Sequence, residues 1–199
     1  MPLIAALDLE GVLSPEIWIS VAERTKIDAL RLTTRDISDY DELMRHRLKI
    51  LNEQGIKLSE IQNVIKGMPL LPGAREFLDE LRTFCQVIIL SDTFAEFAKP
   101  IMEKLGYPTL FCHNLEIKDD RIAGYKLRQR SQKKRAVEAF KSLNFSVAAI
   151  GDSYNDVEML RAADGACFFH APESIKKEFP QFKAVETYSE LLEFTQKFN

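Results

Sequence analysis

Three short apolar segments of this chain each end in carboxyl or hydroxyl groups, and helical segments separate them. They are residues 4–7 before Asp8, 87–90 before Ser91 and Asp92, and 147–150 before Gly151 and Asp152. A segment that is apolar on both faces is typical of a strand buried in the middle of a parallel sheet. Open α/β sheets bind ligands at the carboxyl ends of such strands. The pattern therefore predicts an α/β fold with a polar site at that edge of the sheet.

Asp8 and Glu10 lie two residues apart at the end of the first segment, and Gly11 follows them. The alternation of side chains along a strand places both acids on one side, and Gly11 permits a sharp turn of the backbone. Two carboxylates this close repel each other unless a cation lies between them or one holds a proton. The pair predicts a metal site, acid–base chemistry or both. For an isolated pair of acids, a carboxylate that caps a turn would be the better interpretation.

Further groups of the same chemistry follow along the chain. Asp152 and Asp156 flank the start of a helix after the third segment, and Lys133 stands at the head of an amphipathic helical segment. The apolar positions that repeat at helical spacing after Lys133 are Val137, Phe140 and Leu143. The offsets of Ala136, Val137 and Phe140 from Lys133 match a buried helix face, which favours Lys133 over its neighbours Lys134 and Arg135 as the residue that faces the site.

The order of these groups is strand-Asp, strand-Ser, helix-start Lys and strand-Gly-Asp. It resembles the four motifs of the haloacid dehalogenase superfamily of phosphohydrolases. Longer stretches at residues 8–13, 15–18, 33–36, 89–94, 124–129, 151–156, 170–173 and 178–182 carry a closer likeness. They resemble the phosphoserine phosphatases, and most of all the branch that also transfers phosphoryl groups from phosphoserine to homoserine. This chain has Glu10 where the wider superfamily usually has Asp, and it has Asp92 and Thr93 where common phosphoserine phosphatases have two glycines. Both departures agree with that branch.

The resemblance implies a role for each residue of the core site. Asp8 would attack phosphorus and form an aspartyl-phosphate, and the Glu10 side chain would act as general acid and base. Mg²⁺ would be held by Asp8, Asp152 and the Glu10 backbone carbonyl. Ser91 and Lys133 would bind the phosphoryl oxygens.

The same resemblance supplies the substrate-binding residues. Asp92 and Asn155 would touch the phosphate or the substrate, and Asp156 would orient Lys133 or a metal-bound water. Glu16 would bind the ammonium group of a free amino acid, and Arg47 its carboxylate.

Each of these residues also has a structural interpretation. Ser91 could cap the helix that follows it, which is a common role for serine. Asn155 and Asp156 could be first-turn residues that the helix dipole favours. Glu16 could be an acid at a helix start, and Arg47 one of several surface basic residues. The three histidines show no metal-ligand spacing and are expected to be satisfied or exposed.

The positions of the strands predict the domain organisation. Residues 15–72 read as helices inserted after the first strand, and Pro69, Pro72 and Gly73 mark the return to the sheet. A phosphohydrolase core of residues 1–14 and 73–199 is therefore expected to carry a helical cap of residues 15–72. The core should be Rossmann-like, with helices on both faces of the sheet.

Within the core, the sequence predicts a helix at 94–105, a short strand at 109–112, a hairpin of 115–117 with 122–127, a last strand at 166–169 and a terminal helix at 188–198.

Bulk properties exclude few functions. The net charge of −3 gives no general case for nucleic acid, and six basic residues between 126 and 135 are expected to form an anion-attracting rim or a solvated face. No apolar run reaches about 18 residues, so a cytoplasmic protein with no membrane partner is expected. Cys85, Cys112 and Cys167 are predicted to be buried thiols. A monomer or a homodimer is expected.

The resemblance thus implies a Mg²⁺-dependent phosphoserine phosphatase, with transfer of the phosphoryl group to homoserine as a candidate second activity. Two alternatives remain. One is a phosphatase for another small phosphorylated metabolite. The other is a phospho-aspartate receiver, which also combines aspartates, Mg²⁺, a hydroxyl and a lysine. The helical insertion and Glu10 argue against a receiver, which needs neither a cap nor a group that activates an alcohol.

Overall fold

The computed structural model describes residues 1–33, 36–37 and 39–199. Its strands are β1 Leu3–Leu7, β2 Gln86–Phe94, β3 Thr109–Lys118, β4 Arg121–Lys126, β5 Ser146–Gly151, β6 Gly165–Phe169 and β7 Lys183–Val185. Its helices are α1 Ile17–Thr25, α2 Tyr40–Glu53, α3 Leu58–Gly67, α4 Ala74–Leu81, α5 Ala95–Lys104, α6 Gln132–Ser142, α7 Val157–Ala162, α8 Glu173–Glu178 and α9 Tyr188–Gln196. Short 3-10 helices lie at Asp28–Arg31 and Tyr154–Asp156.

The seven strands form one sheet in the order β4-β3-β2-β1-β5-β6-β7. Every neighbouring pair is parallel except β3 and β4. Strand β1 lies at the centre between β2 and β5, which explains why it is apolar on both faces. The ends of β1, β2 and β5 therefore meet, as the sequence predicts.

Helices cover both faces of this sheet. Alternate residues of β1 point to opposite sides: Leu3, Ala5 and Leu7 belong to one apolar cluster, and Ile4 and Ala6 belong to the other. The first cluster includes buried residues of α4, α5 and α9, and the second includes those of α6, α7 and α8. The predicted α/β sheet with helices on both faces is confirmed.

Helices α1, α2 and α3 occupy the insertion between β1 and α4, and their buried side chains join the first cluster. The hairpin of β3 and β4 holds the start of α3. The Leu58 N–H donates to the carbonyl of Asp120 at 2.8 Å, and the Ser59 N–H donates to the Asp120 side chain at 3.0 Å. The boundaries of the cap at 15 and 72 stay a prediction.

Three predictions about local structure are wrong. Residues 109–118 form one continuous strand, because β3 pairs with β2 along its first half and with β4 along its second. Strand β7 follows the predicted last strand; its three residues are too short to give an alternating pattern. Leu143 does not continue the buried face of α6: it lies just past the helix and is 67% exposed.

The cysteines of the chain are free, with Cys112 and Cys167 buried and Cys85 partly so. None of the described helices is long and apolar enough to cross a membrane. Thr34 and Arg35, in one of the stretches that carry the resemblance, lie outside the described residues.

Candidate active site

The predicted core residues converge at the carboxyl edge of the sheet. Asp8 follows β1, Ser91 and Asp92 lie in the last part of β2, and Asp152 follows β5. Lys133 reaches the same place from the first turn of α6. The parallel pairing of the central strands thus brings together groups that are more than 140 residues apart in sequence, from 8 to 152.

Lys133 lies at the centre of the charged groups. Its Nζ is 2.9 Å from Asp8 Oδ1, 2.8 Å from Asp156 Oδ1 and 3.6 Å from Asp92 Oδ2. The Lys133 side chain is 4% exposed, so these interactions are little screened by water. Burial alone would lower the pKa of Lys133, but the three carboxylates, with Asp156 the strongest, raise it well above its usual value. The ammonium is therefore charged at neutral pH.

Asp156 supports both Lys133 and the loop after β5. Its Oδ1 accepts from Lys133, while its Oδ2 accepts from the backbone N–H groups of Asp152 at 3.0 Å and Ser153 at 3.2 Å. Gly151 is required here because a Cβ at that position would overlap the Asp156 carboxylate. Asp156 is fully buried and both of its oxygens are engaged. Asp156 thus contacts Lys133 and also lies in the first turn of the 3-10 helix Tyr154–Asp156, and its orienting role stays a prediction.

Asp8 is buried and held at its backbone and its side chain. Its N–H donates to Ile150 at 2.9 Å, and its Oδ1 accepts from the Leu9 N–H at 2.8 Å. Burial raises the pKa of Asp8 well above its usual value, the charge of Asp156 raises it further, and Lys133 only partly opposes them. Burial, with the charges of Asp156 and Glu16, also raises the pKa of Asp152 to about 7.

Three carboxylates of this cluster could hold a metal ion. Asp8, Asp152 and Asp156 each offer one oxygen, and these oxygens lie within 4.8 Å of one another. Carboxylate oxygens are the ligands that hard divalent cations prefer. Gly11, with a φ of 78°, lets the loop after β1 approach, since a Cβ there would overlap the Asp152 carboxylate. The donor set fits Mg²⁺, with Asp8 and Asp152 as the better ligands because Asp156 is already engaged.

Glu10 lies beside the core site and faces the cap. Its Oε2 accepts from the Ile17 N–H at 2.7 Å, which fixes the carboxyl group at the start of α1. Burial raises the pKa of Glu10 to about 8, and the neighbouring Glu16 carboxylate contributes. A carboxyl group with such a pKa can both hold and release a proton near neutral pH.

Ser91 does not cap a helix. Helix α5 begins four residues later, with Phe94 as its N-cap residue, and the Ser91 hydroxyl accepts instead from the Thr93 N–H at 3.2 Å. Its side chain is buried and lines the site. The capping alternative for Ser91 is therefore wrong.

Asp92 has partners on several elements. Its carboxylate accepts from Gln132 at 3.2 Å and from Asn155 at 3.3 Å, and it lies 3.7 Å from His113. Burial would raise the pKa of Asp92, but the charge of Lys133 and the side chains of His113 and Gln132 hold it well below its usual range. Sequence reasoning missed Gln132 and His113, because neither has a spacing that points to the site.

Arg47 and Glu16 lie on the cap side of the same cavity. Arg47 is buried, against the alternative of a surface residue, and Glu16 is exposed at the start of α1. One guanidinium nitrogen of Arg47 donates to the Leu32 carbonyl at 2.7 Å, and its Nε has no hydrogen-bond partner in the described part of the chain. Burial lowers the pKa of Arg47 to about 10, opposed by Glu10, so the group stays charged at neutral pH.

A cavity of about 350 Å³ joins the core site to the cap. All the predicted site residues line this cavity except Lys133 and Asp156. Lys133 contacts the lining residue Asp8, and Asp156 contacts Lys133. The cavity is also lined by Trp18, Tyr40 and His170, which sequence reasoning did not place there. Trp18 and His170 fall in stretches that carry the family resemblance, which was the available signal. The exposed His170 pairs with Glu186 at 2.9 Å.

Comparison with known proteins identifies the family to which a chain with this site belongs. The model of the haloacid dehalogenase-like hydrolase family matches residues 5–164, which include the core site. The chain belongs to this family. The match covers Asp8, Ser91, Lys133 and Asp152, the residues that carry the four motifs.

Individual members of this hydrolase family are similar over most of the chain. The phosphoserine phosphatase ThrH of Pseudomonas aeruginosa is 60% identical over 94% of this chain and 92% of its own length. A phosphoserine phosphatase of Pseudomonas syringae is 57% identical over 94% of this chain and 80% of its own. The crystal structure of a phosphoserine phosphatase from T. onnurineus, 24% identical, covers 100% of this chain and 96% of its own, with a TM-score of 0.75. That structure shows the shared fold.

Proposed function

We propose that this protein is a Mg²⁺-dependent phosphoserine phosphatase that works through an aspartyl-phosphate. The observation that carries the proposal is that one cavity contains both a phosphoryl site around Asp8 and a charged pair, Glu16 and Arg47, suited to an amino acid. The 60% identity to a phosphoserine phosphatase over 94% of the chain supports it.

Asp8 is the nucleophile. Its carboxylate attacks phosphorus, an Asp8–phosphorus bond forms, and the bond from phosphorus to the serine oxygen breaks. Glu10 donates its proton to the departing oxygen, and serine leaves. Glu10 then takes a proton from water, whose oxygen attacks phosphorus, and phosphate leaves as the Asp8 carboxylate is restored.

The charged groups around Lys133 support both steps. Lys133 supplies a fixed positive charge beside Asp8, where negative charge gathers in the transition state. Ser91 and Asn155 offer hydrogen bonds to the phosphoryl oxygens, and Asp92 orients Asn155. Asp8, Asp152 and the Glu10 carbonyl would hold Mg²⁺, which offsets the repulsion between the anionic nucleophile and the phosphate dianion.

The cap side recognises the amino acid. The Arg47 guanidinium is buried without a carboxylate partner among the described residues, so a substrate carboxylate can satisfy it. Glu16 accepts from the substrate ammonium. We propose that residues 15–72 form the cap domain that brings these two groups over the core.

A panel of phosphomonoesters tests this function. Arg47→Ala should reduce kcat/KM for phosphoserine by about tenfold to a hundredfold, because it removes a charge-assisted partner in a closed site. The loss on an aryl phosphate should be much smaller. Arg45→Ala, an exposed arginine of the same helix, is the matched control. Equal losses on both substrates would show that Arg47 does not bind the carboxylate. A preference for another phosphomonoester would identify a different metabolite.

Transfer to homoserine is a second candidate activity, favoured by the raised pKa of Glu10, which fits it to activate any hydroxyl beside the aspartyl-phosphate. Homoserine, bound by Glu16 and Arg47, would place its hydroxyl where water attacks. Adding homoserine should then yield phosphohomoserine and lower the phosphate released per serine formed. Glu10→Gln should slow both routes by roughly 10²–10⁴-fold. An unchanged one-to-one ratio of phosphate to serine would show a hydrolase only.

A further inference from the structure

We propose that Trp18 is a positioning residue for substrate selection: its indole face holds the Arg47 guanidinium in the plane that receives the substrate carboxylate. The inference rests on the proposed function, since it assumes that Arg47 binds that carboxylate.

The surroundings of Arg47 carry the inference. Its Cζ lies 4.5 Å from the centre of the Trp18 ring. Its other contacts are neutral: the Leu32 carbonyl accepts at 2.7 Å, and the Met44 sulfur lies 3.9 Å from Nη1. Arg47 is 6% exposed, and an aromatic face, a carbonyl and a thioether thus hold its guanidinium. No carboxylate of the described chain forms an ion pair with it, and the charges of Glu10 and Glu16 act on it only from beyond 4 Å.

This choice of partners has a chemical consequence. An aromatic face attracts a cation without neutralising it, and it leaves the N–H edges of the guanidinium free for a planar anion. A protein carboxylate at the same place would compete with the ligand. The unpartnered Nε of Arg47 is consistent with an edge kept free for a ligand.

Trp18 is itself fixed. Its side chain is buried, and its ring packs edge-on against Phe97 of α5 at 5.5 Å. It follows Ile17, whose N–H binds Glu10, and precedes Ile19, which lines the cavity. The indole therefore links the start of α1 in the cap to α5 in the core, and the guanidinium plane is set by both.

Fluorescence tests this arrangement without any substitution, because Trp18 is the single tryptophan of the chain. Titration with L-serine, which carries the carboxylate but no phosphate, should change the Trp18 emission with saturation. Inorganic phosphate should give a smaller response, and Arg47→Ala should abolish the response to serine. If serine inhibits turnover competitively but leaves the emission unchanged, the Trp18 inference is wrong while the proposed function stands. If serine neither binds nor inhibits, and phosphoserine is not turned over, the proposed function itself fails.

Kinetics provide the second test. Trp18→Leu removes the aromatic face, and KM for phosphoserine should rise about threefold to thirtyfold while kcat changes little. Trp18→Phe retains an aromatic face and should recover most of the affinity. In an Arg47→Ala background the same Trp18→Leu change should have almost no further effect on KM. Additive losses in the double variant, or equal losses of kcat on phosphoserine and on phosphoethanolamine, which lacks a carboxylate, would show that Trp18 serves only the fold.

Discussion

Lys133 Nζ lies 2.9 Å from Asp8 Oδ1 in a buried site, and the same ammonium also contacts Asp156 at 2.8 Å. One cation thus faces several carboxylates, since Asp92 lies 3.6 Å away. Burial raises the pKa values of Asp8 and Asp152, and the negative charge that remains in the cluster raises them further. That negative charge also explains why this edge of the sheet suits a divalent cation.

Replacing Lys133 should harm both stability and catalysis. Lys133→Met leaves buried carboxylates without their cation, and the loss of one partner of a buried ion pair costs roughly 3–5 kcal/mol. The free energy of unfolding from urea titration should fall by that order, and kcat by roughly 10²–10³-fold. Lys134→Met is the control, since Lys134 is a half-buried neighbour in α6 whose ammonium pairs with the exposed Glu158 and not with the site. Equal stability of the two variants would contradict the central role of Lys133.

Asp8→Asn should abolish turnover and leave the fold intact. The change removes the nucleophilic oxygen with little change in volume. Because the pKa of Asp8 is raised in the folded protein, loss of its charge should not lower the free energy of unfolding. Phosphate release and thermal melting of the metal-free protein measure the two effects, with the exposed Asp28→Asn as control. Substantial residual activity would rule out the covalent mechanism.

Much of the core could be predicted because its signals are local. A few neighbouring residues are enough to recognise the apolar run that ends in Asp8. The same holds for Gly11 and Gly151, each of which stands next to an acidic residue. Parallel pairing then brings the ends of β1, β2 and β5 together without further information. The helix after Ser91 is predicted to within one residue at each end, since Gly106 and Pro108 terminate it.

The cap side of the site depends on tertiary contacts that no local pattern records. The local pattern does not distinguish Arg47 from Arg45, and only the family resemblance points to Arg47. In the structure, packing on Trp18 makes it a buried cation. The Tyr40 hydroxyl donates to the Asp92 carbonyl at 3.1 Å, and the two residues are 52 positions apart in sequence. No pattern in the residues around Tyr40 predicts that contact. Long-range pairing of side chains, rather than periodicity, decides these positions.

The stability of the metal-free protein should depend on pH through Glu10. Its pKa is raised from 4.5 to about 8 in the folded state, so the protonated form is favoured by folding. The contribution of Glu10 is present below pH about 4.5 and is lost as the pH rises to about 8. The melting temperature should therefore fall across this range. Glu10→Gln should flatten the fall, and the exposed Glu23→Gln should not. Identical profiles for Glu10→Gln and the unmodified protein would exclude this assignment.

Removal of Mg²⁺ should silence the enzyme, and its return should restore it. Binding to the folded protein alone should also raise the melting temperature, by the equivalent of about 2.7 kcal/mol when the ion is at a hundred times its Kd. Asp152→Asn should weaken both effects, because Asp152 offers one of the oxygens of the cluster. Full turnover after exhaustive chelation would show that no metal takes part.

Asp120 should stabilise the contact between the cap and the β3–β4 hairpin. From a turn residue with a φ of 59°, its carboxylate accepts from both the N–H and the hydroxyl of Ser59, at 3.0 Å and 2.6 Å. It thus caps helix α3 from another part of the chain, a place where an anion is favoured. Asp120→Asn should lower the melting temperature, because the neutral amide lacks the negative charge that is favourable at the start of α3. The neighbouring Asp119 also has a positive φ, of 49°, so both positions tolerate asparagine and Asp119→Asn is the matched control. If the two variants melt together, the cap is held by the apolar contacts of α3 with α5 and not by this hydrogen-bonded clamp.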